Sequence, residues 1–265
     1  MEIKGNLDNR LNSLITKLSP EESRRALRLF SKLSKITNFE LEKLSEDSKT
    51  ISSGLAQSVL YARGEKITSF KGLYAGAFIT VKDGLAYFFK GENAGRGSSF
   101  KGENAGRESF FEGITAGYKS SFKGENAGRG SSFKGENAGR GSSFKGNFAG
   151  FESSFKGENA GLKSSFKGDH AGVESSFEGI IAGYKSSFEG ENAGRGSSFE
   201  GENAGRGSFF EGNYAGFESS FKGNYAGFES SFEGENAGRG SSFEGENAGR
   251  GVKYEGKIIN KVILD

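Results

Sequence analysis

The side chains able to do chemistry are few in kind. Among 265 residues there is no Cys, no Trp and a single His, His170, beside 36 Lys or Arg and 34 Asp or Glu. Thiol redox chemistry and cysteine zinc sites are excluded, and no pair of imidazoles can hold a metal. A Ser-His-Asp triad has only His170 to draw on. What remains is carboxylate, lysine and arginine chemistry, of the kind that cleaves acidic polysaccharides. Such catalysis needs one special constellation at a locally irregular place, whereas Glu and Arg recur here in many equivalent copies. The chain therefore reads as a non-enzyme with no catalytic residue, cofactor or metal site. His170 stands where Asn is usual and reads as a surface substitution.

The recurrence itself is the dominant feature. Phe occurs at 89, 100, 111, 122, 133, 144, 155, 166, 177, 188, 199, 210, 221, 232 and 243, with Tyr254 completing the series. The interval is eleven throughout, and a fixed period must be settled before any local reading. With Phe as slot 1, the commonest unit is F-K/E-G-E-N-A-G-R-G-S-S. Slots 3 and 7 are Gly, slot 6 is Ala and slot 10 is Ser in nearly every unit. Invariant apolar slots imply fixed volumes in a packed column, and the variable slot 8 implies a solvent-facing position. Asn260 replaces Gly in slot 7, which marks that slot as a left-handed corner.

With two or three glycines per unit, a helical repeat is disfavoured. The pattern predicts a mainly β protein: a β-solenoid of about 16 short coils with an 11-residue repeat, preceded by a small all-α N-terminal segment. One unit per coil gives a rod about 75 Å long with one buried spine of rings. Slots 10, 11, 1 and 2 form a strand with Ser and Phe inward, and the serine hydroxyls bond in a row. An antiparallel meander of hairpins is the rival arrangement. The core is thin, so a flat face invites packing on a second chain.

Three segments are expected. Residues 1–58 are helical, with Leu14, Ile15 and Leu18 on one face and a start at Ser19-Pro20-Glu21-Glu22. Ala26, Leu27, Phe30 and Leu33 follow, then a third helix from about Asn38 to Val59 with Leu41, Leu44, Ile51 and Leu55 inward. This segment either caps the rod or docks a partner. Residues 59–88 form irregular lead-in coils, because Phe70 and Phe89 lie 19 apart instead of 22. Residues 89–265 form the regular solenoid, closed by an apolar strand containing Ile258, Ile259, Val262, Ile263 and Leu264.

Slots 5 and 8 covary along the chain. Slot 5 is Asn wherever slot 8 is Arg, whereas Phe148 accompanies Phe151, Ile181 accompanies Tyr184, Tyr214 accompanies Phe217 and Tyr225 accompanies Phe228. These eight residues are the candidate partner-binding patches, since contiguous exposed apolar groups mark interaction sites. Tyr214, Phe217, Tyr225 and Phe228 sit in consecutive units and read as the best single patch. Slot 2 drifts from Lys to Glu along the chain, apart from Glu112 and Lys222. Residues 89–165 carry 12 basic and 8 acidic groups, and residues 166–265 carry 10 and 16. An antiparallel pair or a head-to-tail contact matches those halves.

The expected role is a structural scaffold or spacer that self-associates through solenoid faces, as a homo-oligomer or with another protein. The alternative is a binding module that captures a protein or carbohydrate on its aromatic patches. A net charge of +2 supplies no bulk drive toward nucleic acid, and the glycine pattern lacks a phosphate-loop motif. Ice binding would need a flat outward file of hydroxyls, and slot 10 is read as internal. No apolar run suggests membrane insertion. The start resembles no signal peptide, so a cytoplasmic location is expected.

Overall fold

A strand with a single inward ring cannot close a core by itself; its apolar face needs a second sheet opposite. The computed structural model describes residues 51–62, 66–71, 75–76, 79–82, 84, 86–148, 150–255 and 263–264, with isolated positions between 28 and 41. It resolves the packing problem by placing two repeats in each turn. Strands alternate between two sheets: β1 (Ser69–Lys71), β3 (Phe88–Lys90) and every second strand to β19 (Ile263–Leu264) form one. Those from β2 (Thr80–Lys82) to β18 (Lys253–Glu255) form the other. These are called the odd and even sheets below. All pairing is parallel and in the regular region joins each repeat to the next but one, such as Phe111 with Phe133 and Phe122 with Phe144.

The protein is thus a parallel β-solenoid of about eight turns, and the expected 16 coils are corrected to half that number. An 11-residue unit holds one three-residue strand and one six-residue turn, which is half a circuit. The ten-strand odd sheet spans nine steps, about 43 Å at about 4.8 Å each, in place of about 75 Å. Parallel pairing throughout also removes the hairpin meander. The short interval before Phe89 is one shortened turn: Phe70 pairs with Phe89, and Val81 with Phe100.

The single spine becomes two. From Phe89 to Phe243, rings one full turn apart stack at 4.6–4.9 Å with interplanar angles of 8° or less, as in Phe89–Phe111, Phe133–Phe155 and Phe221–Phe243. Rings in consecutive repeats meet edge to face near 90°, as in Phe188–Phe199 at 5.8 Å. One length explains both. Aromatic carbons touch at about 3.5 Å, but parallel strands are about 4.8 Å apart. Each ring must therefore lean by about 45° to keep contact with the next. Columns on facing sheets lean in opposite senses, so their planes cross near a right angle, the edge-to-face geometry that ring quadrupoles favour. The small interplanar angles also mean that successive turns hardly rotate, which leaves each sheet flat.

The other invariant slots serve this stacking. Slot-6 Ala is fully buried wherever described up to Ala226. Slot-10 Ser is buried, and its hydroxyl donates to the slot-7 carbonyl of the preceding turn, as Ser120 Oγ does to Gly95 O at 2.8 Å. The serines therefore tie turn to turn instead of bonding mainly to one another. A Cβ on slot-7 Gly139 would lie 2.5 Å from the Phe155 ring, with φ at +62°. A Cβ on slot-3 Gly135 would lie 1.6 Å from the carbonyl oxygen of Gly113, one turn earlier. The corners carry their own ladder: Gly117 N–H donates to Ala94 O, and Lys119 N–H to Arg140 O.

Helix α1 (Ile51–Ala62) lies at the N-terminal end and runs across the expected division at residue 58. Tyr61 meets Phe70 edge to face at 5.8 Å, and Gln57 Oε1 accepts from the Lys71 N–H at 2.9 Å. One edge donor of the first strand is thereby satisfied. Leu33 and Leu41 are buried with Ala56, Val59 and Leu60, and Thr37 and Glu40 form a reciprocal capping box. The features expected around Leu14–Leu18, Ser19–Glu22, Ala26, Leu27, Phe30, Leu44 and 258–262 lie outside the described residues, as do the side chains of Ile51 and Leu55. At the other end Tyr254 continues the even column, and the last strand of the odd sheet places Leu264 in register with Phe243. Burial pushes the pKa of the Tyr254 hydroxyl up to about 12.

Slot 9 separates shape from space. Lys119 has φ of +53° there, as has Glu152, and a Cβ on Gly141 in the same slot would make only an ordinary contact, 3.5 Å to Lys119 Cγ. Urea denaturation should find Gly141→Glu within about 1 kcal/mol of the parent. Gly135→Ala, which drives a methyl into backbone, should cost at least about 3 kcal/mol.

Candidate interaction faces

Each six-residue corner displays slots 4, 5, 8 and 9 outward, and slots 5 and 8 touch because the intervening Ala-Gly pair turns inward. Arg140 Nη1 donates to Asn137 Oδ1 at 3.3 Å, and Arg206 does the same to Asn203. Where the pair is aromatic the rings meet edge to face at 5.8 Å: Phe148 with Phe151, Tyr214 with Phe217, Tyr225 with Phe228. The exchange of a polar pair for an apolar one is thus a contact within one corner.

The two-repeat turn separates what sequence adjacency joined. Phe148, Phe151, Tyr214 and Phe217 follow even strands; Ile181, Tyr184, Tyr225 and Phe228 follow odd strands. Tyr214 with Phe217 and Tyr225 with Phe228 therefore lie on opposite corners, and the expected single patch divides into two. Seven of the eight residues are half-buried and only Tyr214 is exposed. In three of the pairs, an arginine one turn away covers a ring. Arg129 lies over Phe148 and Phe151, Arg195 over Phe217, and Arg206 over Tyr225 and Phe228, all within 5.5 Å of a ring centre. His170 stacks on the Phe148 ring at 5.1 Å. Ile114 and Ile180, in slot 4 of odd corners, and Phe88 on the odd sheet are more exposed than any of the expected patch residues. The spacing of the two isoleucines carried no signal, because slot 4 looked merely variable.

The sheet faces show slots 11 and 2. Along the odd sheet the slot-2 signs are mixed, and at three steps opposite charges on adjacent turns pair: Lys90 with Glu112, Lys156 with Glu178, Lys222 with Glu244. Both exceptions to the drift of charge, Glu112 and Lys222, belong to this sheet. Along the even sheet there is no exception: Lys82, Lys101, Lys123, Lys145 and Lys167, then Glu189, Glu211, Glu233 and Glu255. Among the described residues, the single ion pair on that face is at the change of sign, Lys167 to Glu189 at 2.6 Å. That hydrogen bond holds the pKa of the Lys167 ammonium above its ordinary value.

Among the described residues no group of acidic or histidine side chains is arranged to hold a metal ion, and no helix is long and apolar enough to cross a membrane. The chain matches no family model, and neither curated proteins nor solved structures show significant similarity to it.

Separate corners should behave independently. Tyr214→Ser with Phe217→Ser, and Tyr225→Ser with Phe228→Ser, should each cost about 1–2 kcal/mol of packing and cation–π contact. Denaturation of the quadruple variant should give the sum within about 0.5 kcal/mol. A larger coupling would restore the contiguous patch.

Proposed function

We propose that this chain is a non-enzymatic spacer or scaffold that self-associates through its solenoid faces. The observation that carries the reading is uniformity. Stacked ring distances from Phe89 to Phe243 stay within 4.6–4.9 Å, so every turn adds nearly the same length and shape. The Ser-to-Gly bond between turns repeats the same coupling from Ser120 to Ser241. A structure coupled only to nearest neighbours tolerates a change in the number of units, as a spacer of adjustable length requires. Equivalent Glu and Arg in successive corners offer no distinguished site for chemistry.

A second reading is a binding module, which the exposed Tyr214, Ile114 and Ile180 favour. It requires a partner held at one corner, whereas the spacer needs only the rod.

The spacer reading is tested by length. Deleting residues 133–154, one full turn, should leave a folded rod shorter by about 4.8 Å in small-angle scattering. Cooperative collapse of the shortened chain would count against it.

A further inference from the structure

The charge pattern of the even sheet is more ordered than a solvated surface requires. After Lys82 on the first strand, Lys101, Lys123, Lys145 and Lys167 stand in file one turn apart, followed by four glutamates, and these eight are all exposed except half-buried Glu189. Like charges on successive strands repel one another even across water. The odd sheet relieves this in part: Glu112 and Lys222 break its runs and three ion pairs cross its turns, although Lys134 still adjoins Lys156 and Glu178 adjoins Glu200. On the even sheet, among the described residues, Lys101, Lys123 and Lys145 have no ion-pair partner, and neither do Glu211, Glu233 and Glu255. Their complement is missing from the rod.

We infer that the even sheet is a self-complementary docking face whose occupant is a second copy of this chain, lying antiparallel. The inference rests on the self-association in the proposed function and names its face and direction. Symmetry decides the orientation. A two-fold axis lying between two apposed faces and running along the strand direction reverses the rod axis but keeps slot 2 opposite slot 2. Placed at the step between Lys167 and Glu189, it sets Lys167 against Glu189 of the partner subunit. Lys145 then meets the partner's Glu211, Lys123 the partner's Glu233 and Lys101 the partner's Glu255. These four pairings each occur twice. A two-fold along the rod instead carries slot 2 to the other side of the strand and brings no such rows together. Such a mutual, isologous contact closes at two copies.

The rest of the face permits the approach. Slot 11 beside the charged row is Ser in Ser99, Ser121, Ser143, Ser165, Ser187 and Ser231, so small side chains leave the charged row proud. Two residues interrupt this file: the half-buried ring of Phe209, which the same axis sets against the small side chain of the partner's Ser143, and the exposed Lys253 at the last strand, which it sets against the partner's Ser99. The stacked rings show almost no rotation per turn, so two files of equal pitch stay matched from end to end. The strip from Lys101 to Glu255 is about 34 Å long and about 10 Å wide. That is at the small end for protein interfaces, and exposed ion pairs are individually weak. The pair is accordingly a weak, salt-sensitive dimer.

Sedimentation velocity of the full chain tests this. In about 20 mM salt the protein should form dimers at tens of micromolar, and in about 0.5 M salt it should be monomeric. The triple variant Lys101→Glu, Lys123→Glu, Lys145→Glu should be monomeric at low salt. So should Glu211→Lys, Glu233→Lys, Glu255→Lys, and an equimolar mixture of the two should recover the dimer. Rods that stay monomeric at low salt, that associate only when polyglutamate is added as a polyanion probe, or whose dimer survives either triple variant overturn the inference. The wild-type salt titration decides the matter even where a variant fails to fold by circular dichroism. Monomeric behaviour would remove this dimer and leave the spacer part of the proposed function to its own test, the change in length.

Discussion

The mismatch between two lengths organises this structure. Parallel strands repeat at about 4.8 Å and aromatic faces touch at about 3.5 Å, so a column of phenylalanines can follow a sheet only if each ring leans. A single leaning column presents ring edges on its open side. A second column leaning the other way fills that side with edge-to-face contacts, as Phe177 does with Phe188 at 5.9 Å. Two columns require two sheets, and two sheets require two repeats per turn. The invariance of Phe follows: an aliphatic side chain could fill volume but could not make both contacts.

From that core the remaining slots acquire their reasons. Gly is needed where a ring or a carbonyl of the neighbouring turn leaves no room for a Cβ, as at Gly139 and Gly135. Ser is needed where a buried position must carry a hydrogen bond down to the previous turn. The outward slots are released from these demands, and they alone vary. Variation at the corners swaps local contacts, Asn with Arg or ring with ring. Variation on the sheets sets a charge pattern that differs between the two faces.

Much of this was legible from residue spacing. The inward Phe, Ala and Ser, the left-handed slot 7 and the contact between slots 5 and 8 follow from which slots vary and which do not. The number of repeats per turn was not legible, because Phe89 and Phe100 are chemically the same and pairing with the next strand or the next but one satisfies the same pattern. That ambiguity propagated to the candidate residues. Tyr214 and Tyr225 are neighbours if a turn takes one repeat and opposite if it takes two. One clue lay in the lead-in region, where the interval from Phe70 to Phe89 falls three short of two full repeats. Another lay in Glu112 and Lys222, which look like noise along the chain and fall on one sheet once the strands are sorted.

The absence of Cys makes the repeat count directly measurable by cross-linking. Ser132 and Ser154 are partners on adjacent strands of the odd sheet, and Ser143 lies on the even sheet. With Ser132→Cys and Ser154→Cys, the Cα separation of about 4.8 Å falls within disulfide range. Mild oxidation should link the two cysteines within one chain. With Ser132→Cys and Ser143→Cys the side chains point out of opposite sheets and should stay reduced. Rapid linkage of 132 to 143, with 132 and 154 left free, would mean one repeat per turn and a single column of rings, and would contradict the two-column core.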